Sequence, residues 1–332
     1  MALKTAIVGI GWWGRHIIDS TNSSKKIKIT TAVDKKNRIS TLRNEITDLP
    51  ITDNFNDILN NDEIQAVILA TPHTMHEHQI RQCALAGKHI FVEKPLALTY
   101  ESALRSISLC HQNNLVLGVG HERRFEPAFE ALKELLSKNS LGTLIHVESN
   151  FSHDLLVDVD PKSWRASDSE SPIPALTSMG IHLTDMYIHL FGDIHEVFAH
   201  HTHRYTNWGT GDNLSVQVKF KSGITGYFST ILATSMYIRF QVFGSHGWAE
   251  IRSDVHPGDE GITQLNVTKS NAPMKKYEFE YQDTVLKNLE TFADAINMGT
   301  PYPFTSNEKL KNISTMVAIN KSANIGQPIV VD

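Results

Sequence analysis

Cysteine is almost missing from this chain of 332 residues: Cys83 and Cys110 are the only two, which excludes a disulfide framework. Both fall in helix-like stretches and read as buried free thiols in a reducing cytoplasm. No apolar run approaches the roughly 18 residues of a membrane helix, and glycines interrupt the apolar opening where an export signal would keep an unbroken core. An excess of one charge is lacking too. With 31 Lys and Arg against 36 Asp and Glu the net charge is −5, which gives no basic face for nucleic acid and no polybasic signal for a membrane surface. Repeats and low-complexity tracts are absent. What remains is a globular protein of about two domains, 41% hydrophobic, with small molecules as its expected ligands.

Histidine, by contrast, is plentiful at 17 residues. His73, His76 and His78 cluster, as do His200, His201 and His203, yet neither group has the ligand pattern of a closed zinc site, so no metal is expected. On a strand over 197–203, His201 and His203 share one face and read as solvated.

The most informative stretch is Ala6-Ile7-Val8-Gly9-Ile10-Gly11-Trp12-Trp13-Gly14. A short apolar strand runs into Gly9-x-Gly11-x-x-Gly14, and Arg15 to Ser20 can continue as a helix. Gly9 permits the tight turn, Gly11 lets backbone approach a pyrophosphate, and Gly14 lets the helix sit against the strand. The helix N-terminus, with Trp12 and Trp13, then offers unpaired N–H groups to the anion. A second strand over Ile27 to Val33 ends on Asp34, 20 residues after Gly14, where a carboxylate accepts hydrogen bonds from the adenosine ribose. Asp34 repels a 2′-phosphate and favours NAD; Lys35, Lys36 and Arg38 follow at once and suit that phosphate, keeping NADP as the alternative.

From residue 1 to about 120 the pattern alternates, with strands at Lys4 to Ile10, Ile27 to Val33, Ile51 to Asp53, Gln65 to Ala70, His89 to Val92 and Leu115 to Val119. Helical stretches, notably Met75 to Ala86 and Tyr100 to Asn113, fall between most of them. This predicts an α/β, doubly wound parallel sheet over residues 1–122, with its ligand at the strand carboxyl ends. After Arg124 the texture changes. A helix over Pro127 to Ser137 leads into a strand over Leu144 to Ser152, then Asn213 to Phe220, Gly223 to Leu232, Tyr237 to Gly244 and Gly247 to Ile251 alternate as antiparallel strands do. A second α+β domain with an open, mostly antiparallel sheet is expected over 123–332, closed by helices at Asp283 to Met298 and Ser306 to Ala323.

Thr71-Pro72-His73-x-x-His76, Glu93-Lys94-Pro95 and Gly120-His121-Glu122-Arg123-Arg124-Phe125-x-Pro127 follow the fourth, fifth and sixth strands and should converge on one crevice. Together with the glycine turn and a later Gly180-x-His182-x-x-Asp185, these motifs resemble the Gfo/Idh/MocA oxidoreductase family over almost the whole chain. The resemblance implies a Rossmann domain holding NAD(P), a C-terminal domain whose sheet mediates contacts in a dimer or tetramer, and a sugar or polyol substrate. It implies that Lys94 is the catalytic or substrate-orienting lysine, often before a cis proline, here Pro95. It also implies roles for Trp164 and Arg165 beside cofactor or substrate. Where relatives carry an Asp two residues before the glycine, this chain has Ser178.

Oxidising a secondary alcohol needs a base for the hydroxyl proton while hydride leaves for the nicotinamide. His182 suits a general base; Lys94 stabilises the alkoxide when protonated, or serves as base when burial beside the cofactor lowers its pKa. Both assignments stand at this point. Thr71, Pro72, His73, His76 and Glu93 are expected around the cofactor, and Arg123, Trp164, Ser178 and Asp185 around the substrate. Arg123 and Arg124 also read as interdomain salt bridges, His182 as a core histidine. The leading expectation is an NAD(P)-dependent sugar or polyol dehydrogenase. A redox-neutral enzyme using bound NAD transiently and a non-catalytic NAD-binding regulator are the other readings. Specificity is expected in the loops His153 to Arg165 and His203 to Asp212.

Overall fold

The computed structural model describes residues 1–208 and 210–332; Gly209, in the second of the two loops expected to set specificity, lies outside the described residues. The chain forms two compact units, Met1–Glu122 with Asp283–Lys309, and Arg123–Gln282 with Leu310–Asp332.

In the first unit β1 (Leu3–Val8), α1 (Trp12–Thr21), β2 (Ile27–Val33), α2 (Ile39–Glu45), β3 (Ile51–Thr52), α3 (Phe55–Leu59), β4 (Ala66–Leu69), α4 (His76–Leu85), β5 (His89–Val92), α5 (Tyr100–Gln112) and β6 (Leu117–Val119) follow one another. The strands pair in parallel in the order β3-β2-β1-β4-β5-β6. Such a sheet is covered on both faces, and Ala66-Val67-Ile68-Leu69 shows the result: every side chain of β4 is buried. The order reverses between β1 and β4, which makes their carboxyl ends the place where a doubly wound sheet binds its ligand.

The second unit carries α6 (Pro127–Ser137), β7 (Leu144–Ser152), α7 (Ile181–Phe191), β8 (Ile194–Thr202), β9 (Asn213–Phe220), β10 (Thr225–Ile231), β11 (Tyr237–Gly244), β12 (Gly247–Ser253), β13 (Ile262–Lys269) and β14 (Lys275–Glu280). They form one sheet with the final β15 (Ile329–Val330), in the order β14-β13-β12-β11-β7-β10-β9-β8-β15. All neighbours are antiparallel except β7 and β10. Alternation is strict in β9, where Leu214, Val216, Val218 and Phe220 are buried and the residues between them are not. Strands β13, β14 and β15 were not among those expected; β14 is largely exposed on both faces and so carries no alternation to read.

One expectation needs correction. A simple cut after residue 122 assigns α8 (Thr284–Met298) to the second domain, but the segment 283–309 belongs to the first unit. The reason lies in its spacing: Val285, Leu289, Phe292 and Ala293 form one stripe and join the core of Leu3, Ile7, Ile27, Ala32 and Phe91. Phe292 sets its ring edge-on to Phe91 with centroids 5.6 Å apart. A Cβ on Gly118 would come within 2.7 Å of one ring and 2.9 Å of the other, so β6 has room only for glycine there. Burying such a ring is worth about 1.5–3 kcal/mol. The last helix, α9, spans Ser306–Ile325.

Candidate active site

The glycine turn of the first unit is shaped by what surrounds each Cα. Gly9 has φ +92°, and a Cβ there would lie 2.6 Å from the Ala70 carbonyl oxygen; one on Gly14 would lie 2.0 Å from Gly9 O. These two glycines let β1, β4 and α1 approach one another. Gly11 differs: a Cβ there would meet nothing within 4 Å, and no side chain caps α1 at this position. The first-turn amides of α1 therefore have no acceptor within the helix, and the space before them is open, which is what a pyrophosphate requires. The helix begins at Trp12, three residues earlier than expected, so Trp12 and Trp13 sit on its first turn. Trp12 is exposed, while Trp13 stacks on His16 at 4.9 Å.

Asp34 ends β2 as expected, but its carboxylate is already engaged. Oδ2 accepts from Ile10 N at 2.7 Å and Arg38 Nη1 at 2.9 Å, Oδ1 accepts from Lys35 N at 2.7 Å, and Arg38 Nη2 donates to Ile10 O at 2.9 Å. The aspartate braces the glycine turn against the segment after β2.

The loops after β4, β5 and β6 meet within the unit. His76 is completely buried, and its ring nitrogens lie 2.9 Å from Pro95 O and 3.0 Å from Thr71 O. It ties the loops after β4 and β5 together. His73, also buried, packs its ring 5.8 Å from that of His76, and Thr71 Oγ1 donates to Gln79 Oε1 at 2.6 Å. Pro72 precedes this turn with its side chain half-buried. Glu93 is buried, and a Cβ on Gly120 would come within 2.5 Å of its carboxylate. Lys94 remains half-buried at the carboxyl end of β5, and the Lys94–Pro95 peptide is cis.

In the second unit Ser178 lies on a π-helical turn, Leu176–Gly180, that runs into α7, a local widening frequent at functional sites. His182 follows on the first turn of α7 and is buried, its ring 6.2 Å from that of Phe151. The Arg123 guanidinium lies over the same Phe151 ring, 4.1 Å from its centroid, while its Nε donates to Glu126 Oε1 at 2.8 Å. Burial raises the Glu126 carboxyl and Arg123 opposes that rise. Asp185, expected at the substrate, holds Arg124 through two bonds, Nε to Oδ2 at 2.7 Å and Nη2 to Oδ1 at 2.6 Å, and both side chains are buried. Each carboxylate oxygen accepts from the guanidinium, and the pair lies inside the second unit. Trp164 and Arg165 share a short 3₁₀ turn in which the guanidinium stacks on the indole at 4.4 Å.

Two histidines went unread in the sequence. His153, buried, sits edge-on to Phe151 at 5.5 Å, and His256 lies 5.9 Å from His153. The signal for His153 is the period-2 rule: Phe151 faces the core, so the residue two positions on shares its side. His256 has no such local signal.

With this geometry in view, residues 3–121 match a family model described as an oxidoreductase family with an NAD-binding Rossmann fold, and residues 129–250 match the GFO/IDH/MocA C-terminal domain. Among curated proteins, scyllo-inositol 2-dehydrogenase (NAD(+)) of Bacillus subtilis is 23% identical, the match covering 99% of this chain and 96% of that protein. D-xylose 1-dehydrogenase [NADP(+)] of Haloarcula marismortui is 22% identical over 99% of this chain and 93% of its own length. Among solved structures, a putative NADPH-dependent oxidoreductase of Desulfitobacterium hafniense superposes with a TM-score of 0.89 at 22% identity, covering 100% of this chain and 98% of that one. Levoglucosan dehydrogenase in complex with NADH and levoglucosan gives 0.86 at 20% identity, with both chains covered in full; at these identities the likeness is one of fold. Glycine turn, strand order and both domain models agree, and the chain belongs to the Gfo/Idh/MocA family of NAD(P)-binding oxidoreductases.

Proposed function

We propose that the protein transfers a hydride between a secondary alcohol of a sugar or polyol and the nicotinamide of NAD(P), with Lys94 and His182 as its catalytic residues. The observation that carries this reading is the open backbone at Gly11, before the uncapped N-terminus of α1, in the same unit as Lys94 at the end of β5. The bound nicotinamide supplies a hydride acceptor. His182 takes the hydroxyl proton, its imidazole held against Phe151, and the Lys94 ammonium steadies negative charge on the alcohol oxygen; an exchange of these two roles is the variant that a pH profile separates. Arg123 and Ser178 face the substrate in this scheme, and Trp164 with Arg165 covers it. Support for the substrate class comes from relatives that are themselves named for inositol and xylose.

We place the protein in the cytoplasm, where the buried thiols of Cys83 and Cys110 stay reduced; burial pushes them up to about 12 and about 11. No helix among the described residues is long and apolar enough to cross a membrane. We assign the chain to a homodimer or tetramer formed through the face of the second sheet opposite α7. Tyr227 is exposed there, Arg239 pairs with Glu148, and Arg252 lies 4.0 Å over the Tyr237 ring. The test of function is a panel of sugars and inositols with NAD⁺ and NADP⁺, read as reduced-nicotinamide absorbance. A substrate-dependent rise is expected. Tight nucleotide binding with no rise on any member would overturn the dehydrogenase reading.

A further inference from the structure

We infer that β14, a free edge of the second sheet, pairs antiparallel with β14 of a second copy of the chain and so joins two dimers into a tetramer. The inference rests on the dimer proposed above through the sheet face and adds a second two-fold contact to it. The two edges of the nine-stranded sheet are unlike. At one of them β15 has two residues, too few to offer another chain a ladder. At the other β14 has six, and five of them are exposed. This strand contains no proline, and its register with β13 runs without a bulge, so two common guards of an open edge are missing. Tyr281 N donates to Gly261 O at 3.0 Å in that same register. Alternation from this hydrogen-bonded pair turns the backbone groups of Lys275, Tyr277 and Phe279 toward β13, and those of Lys276, Glu278 and Glu280 toward the open edge.

Charge is the remaining guard, and it is sorted along the strand. Lys275-Lys276-Tyr277-Glu278-Phe279-Glu280 carries its cations at one end and its anions at the other, so an antiparallel copy meets it with the opposite sign. A two-fold axis normal to the sheet keeps both faces in common, and it therefore passes between a residue and that residue's own copy. Centred on Lys276 it opposes two lysines, and centred on Glu278 it opposes two glutamates; both are unfavourable. Centred on Tyr277 it creates no like-charge pair. Lys276 then faces the partner's Glu278 in two symmetric hydrogen-bonded pairs, and Tyr277 meets the partner's Tyr277 at the narrow position between them, where side chains come closest. Glu278 lies opposite Gln264, Gln264 opposite Arg252, and Arg252 opposite Arg239, so these charges continue the face assigned to the dimer. One pair of six-residue strands falls short of the roughly 1,000 Å² that a stable interface clears. Such a contact joins dimers rather than single chains, and its axis is perpendicular to that of a face-to-face dimer, as a closed tetramer requires.

The test is sedimentation velocity of the full chain over a range of concentrations. The wild type is expected to be a tetramer. Glu278→Lys exchanges two attractive cross-strand pairs for two repulsive ones and should weaken the contact between dimers by about 100-fold, leaving dimers; Lys276→Glu should do the same. Both residues are exposed, so the fold is kept. The double variant Lys276→Glu with Glu278→Lys restores opposite charges in the same register and should restore the tetramer. An equimolar mixture of the two single variants should also form tetramers, because each supplies the sign that the other lacks. A wild type that never exceeds a dimer, or a tetramer that both single variants leave intact, overturns the proposal. Single variants that fall to monomers instead of dimers uphold the edge contact and overturn the sheet-face dimer beneath it, so the two failures are told apart.

Discussion

Under the proposed function the two units draw on opposite kinds of material. In the first, recognition rests on backbone: a turn that only glycine fits, uncapped amides at the start of α1, and three loops locked together by His76 and Glu93. In the second it rests on side chains stacked from distant parts of the sequence, with Arg123, Phe151, His153, His182 and His256 in successive contact. A parallel sheet buried on both faces leaves only its strand ends for ligands, and backbone at a strand end takes the shape that glycine and proline dictate. An antiparallel sheet with helices on one face exposes whole rows of side chains, and a site there is a matter of which rings meet.

The comparison is put most severely by removing the chemistry. Lys94→Ala and His182→Ala are each expected to lower kcat by about 10²–10⁴-fold, the range for loss of a proton-transferring or charge-stabilising group, with nucleotide affinity little changed. The double variant should be no worse than the weaker single, because groups acting in one step are not additive. Additive losses in steady-state kinetics would mean that the two units contribute separately. Next in size is the buried pair of the second unit. Arg124→Leu or Asp185→Leu alone is expected to cost about 3–5 kcal/mol by stranding a charge, and the double replacement to recover most of it; denaturant titration measures both. In the first unit the contrast is between two glycines. Gly14→Ala forces a Cβ to within 2.0 Å of Gly9 O and should cost on the order of 2–3 kcal/mol. Gly11→Ala meets nothing within 4 Å, so it should leave the melting temperature unchanged while weakening nucleotide binding about tenfold by filling the space a pyrophosphate needs. Equal effects of the two on stability would show that the turn is not divided in this way.

The same contrast explains what could be read from sequence. Strands such as Ile27–Val33 and His89–Val92 were legible to the residue because apolar runs between breakers have one reading in a parallel sheet. The glycine turn was legible because its spacing is the function. Asp34 was legible as a position, while nothing local says that Arg38, four residues on, will pair with it. Asp185 and His76 carry contacts that no local pattern announces: only the fold shows that Arg124 engages the carboxylate and two backbone carbonyls the imidazole. His256 reaches His153 across about 100 residues of chain, as the long-range pairing of an antiparallel sheet allows and no window of sequence reveals.

The mildest test concerns the loop after β8, where the two kinds of material meet in one residue. The Asp212 carboxylate gathers the backbone amides of Arg204 at 3.1 Å, Tyr205 at 2.6 Å and Thr206 at 2.9 Å. Burial alone would raise this carboxyl, but the amides of Thr206, Tyr205 and Arg204 outweigh it and hold the carboxyl below its ordinary value. A carboxyl depressed on folding stabilises the native state above its unfolded value near 4, and that contribution is lost as pH falls through the lower folded value. Asp212→Asn keeps the shape and removes the charge, so it should destabilise by about 1–2 kcal/mol at pH 7, with faster hydrogen exchange at amides 204–206. The gap between wild type and variant should narrow as pH drops below about 4, where the wild-type carboxylate takes up its proton. A gap that stays constant from neutral to acid pH would mean that shape rather than charge organises this loop, and would move it to the side-chain-packing half of the comparison.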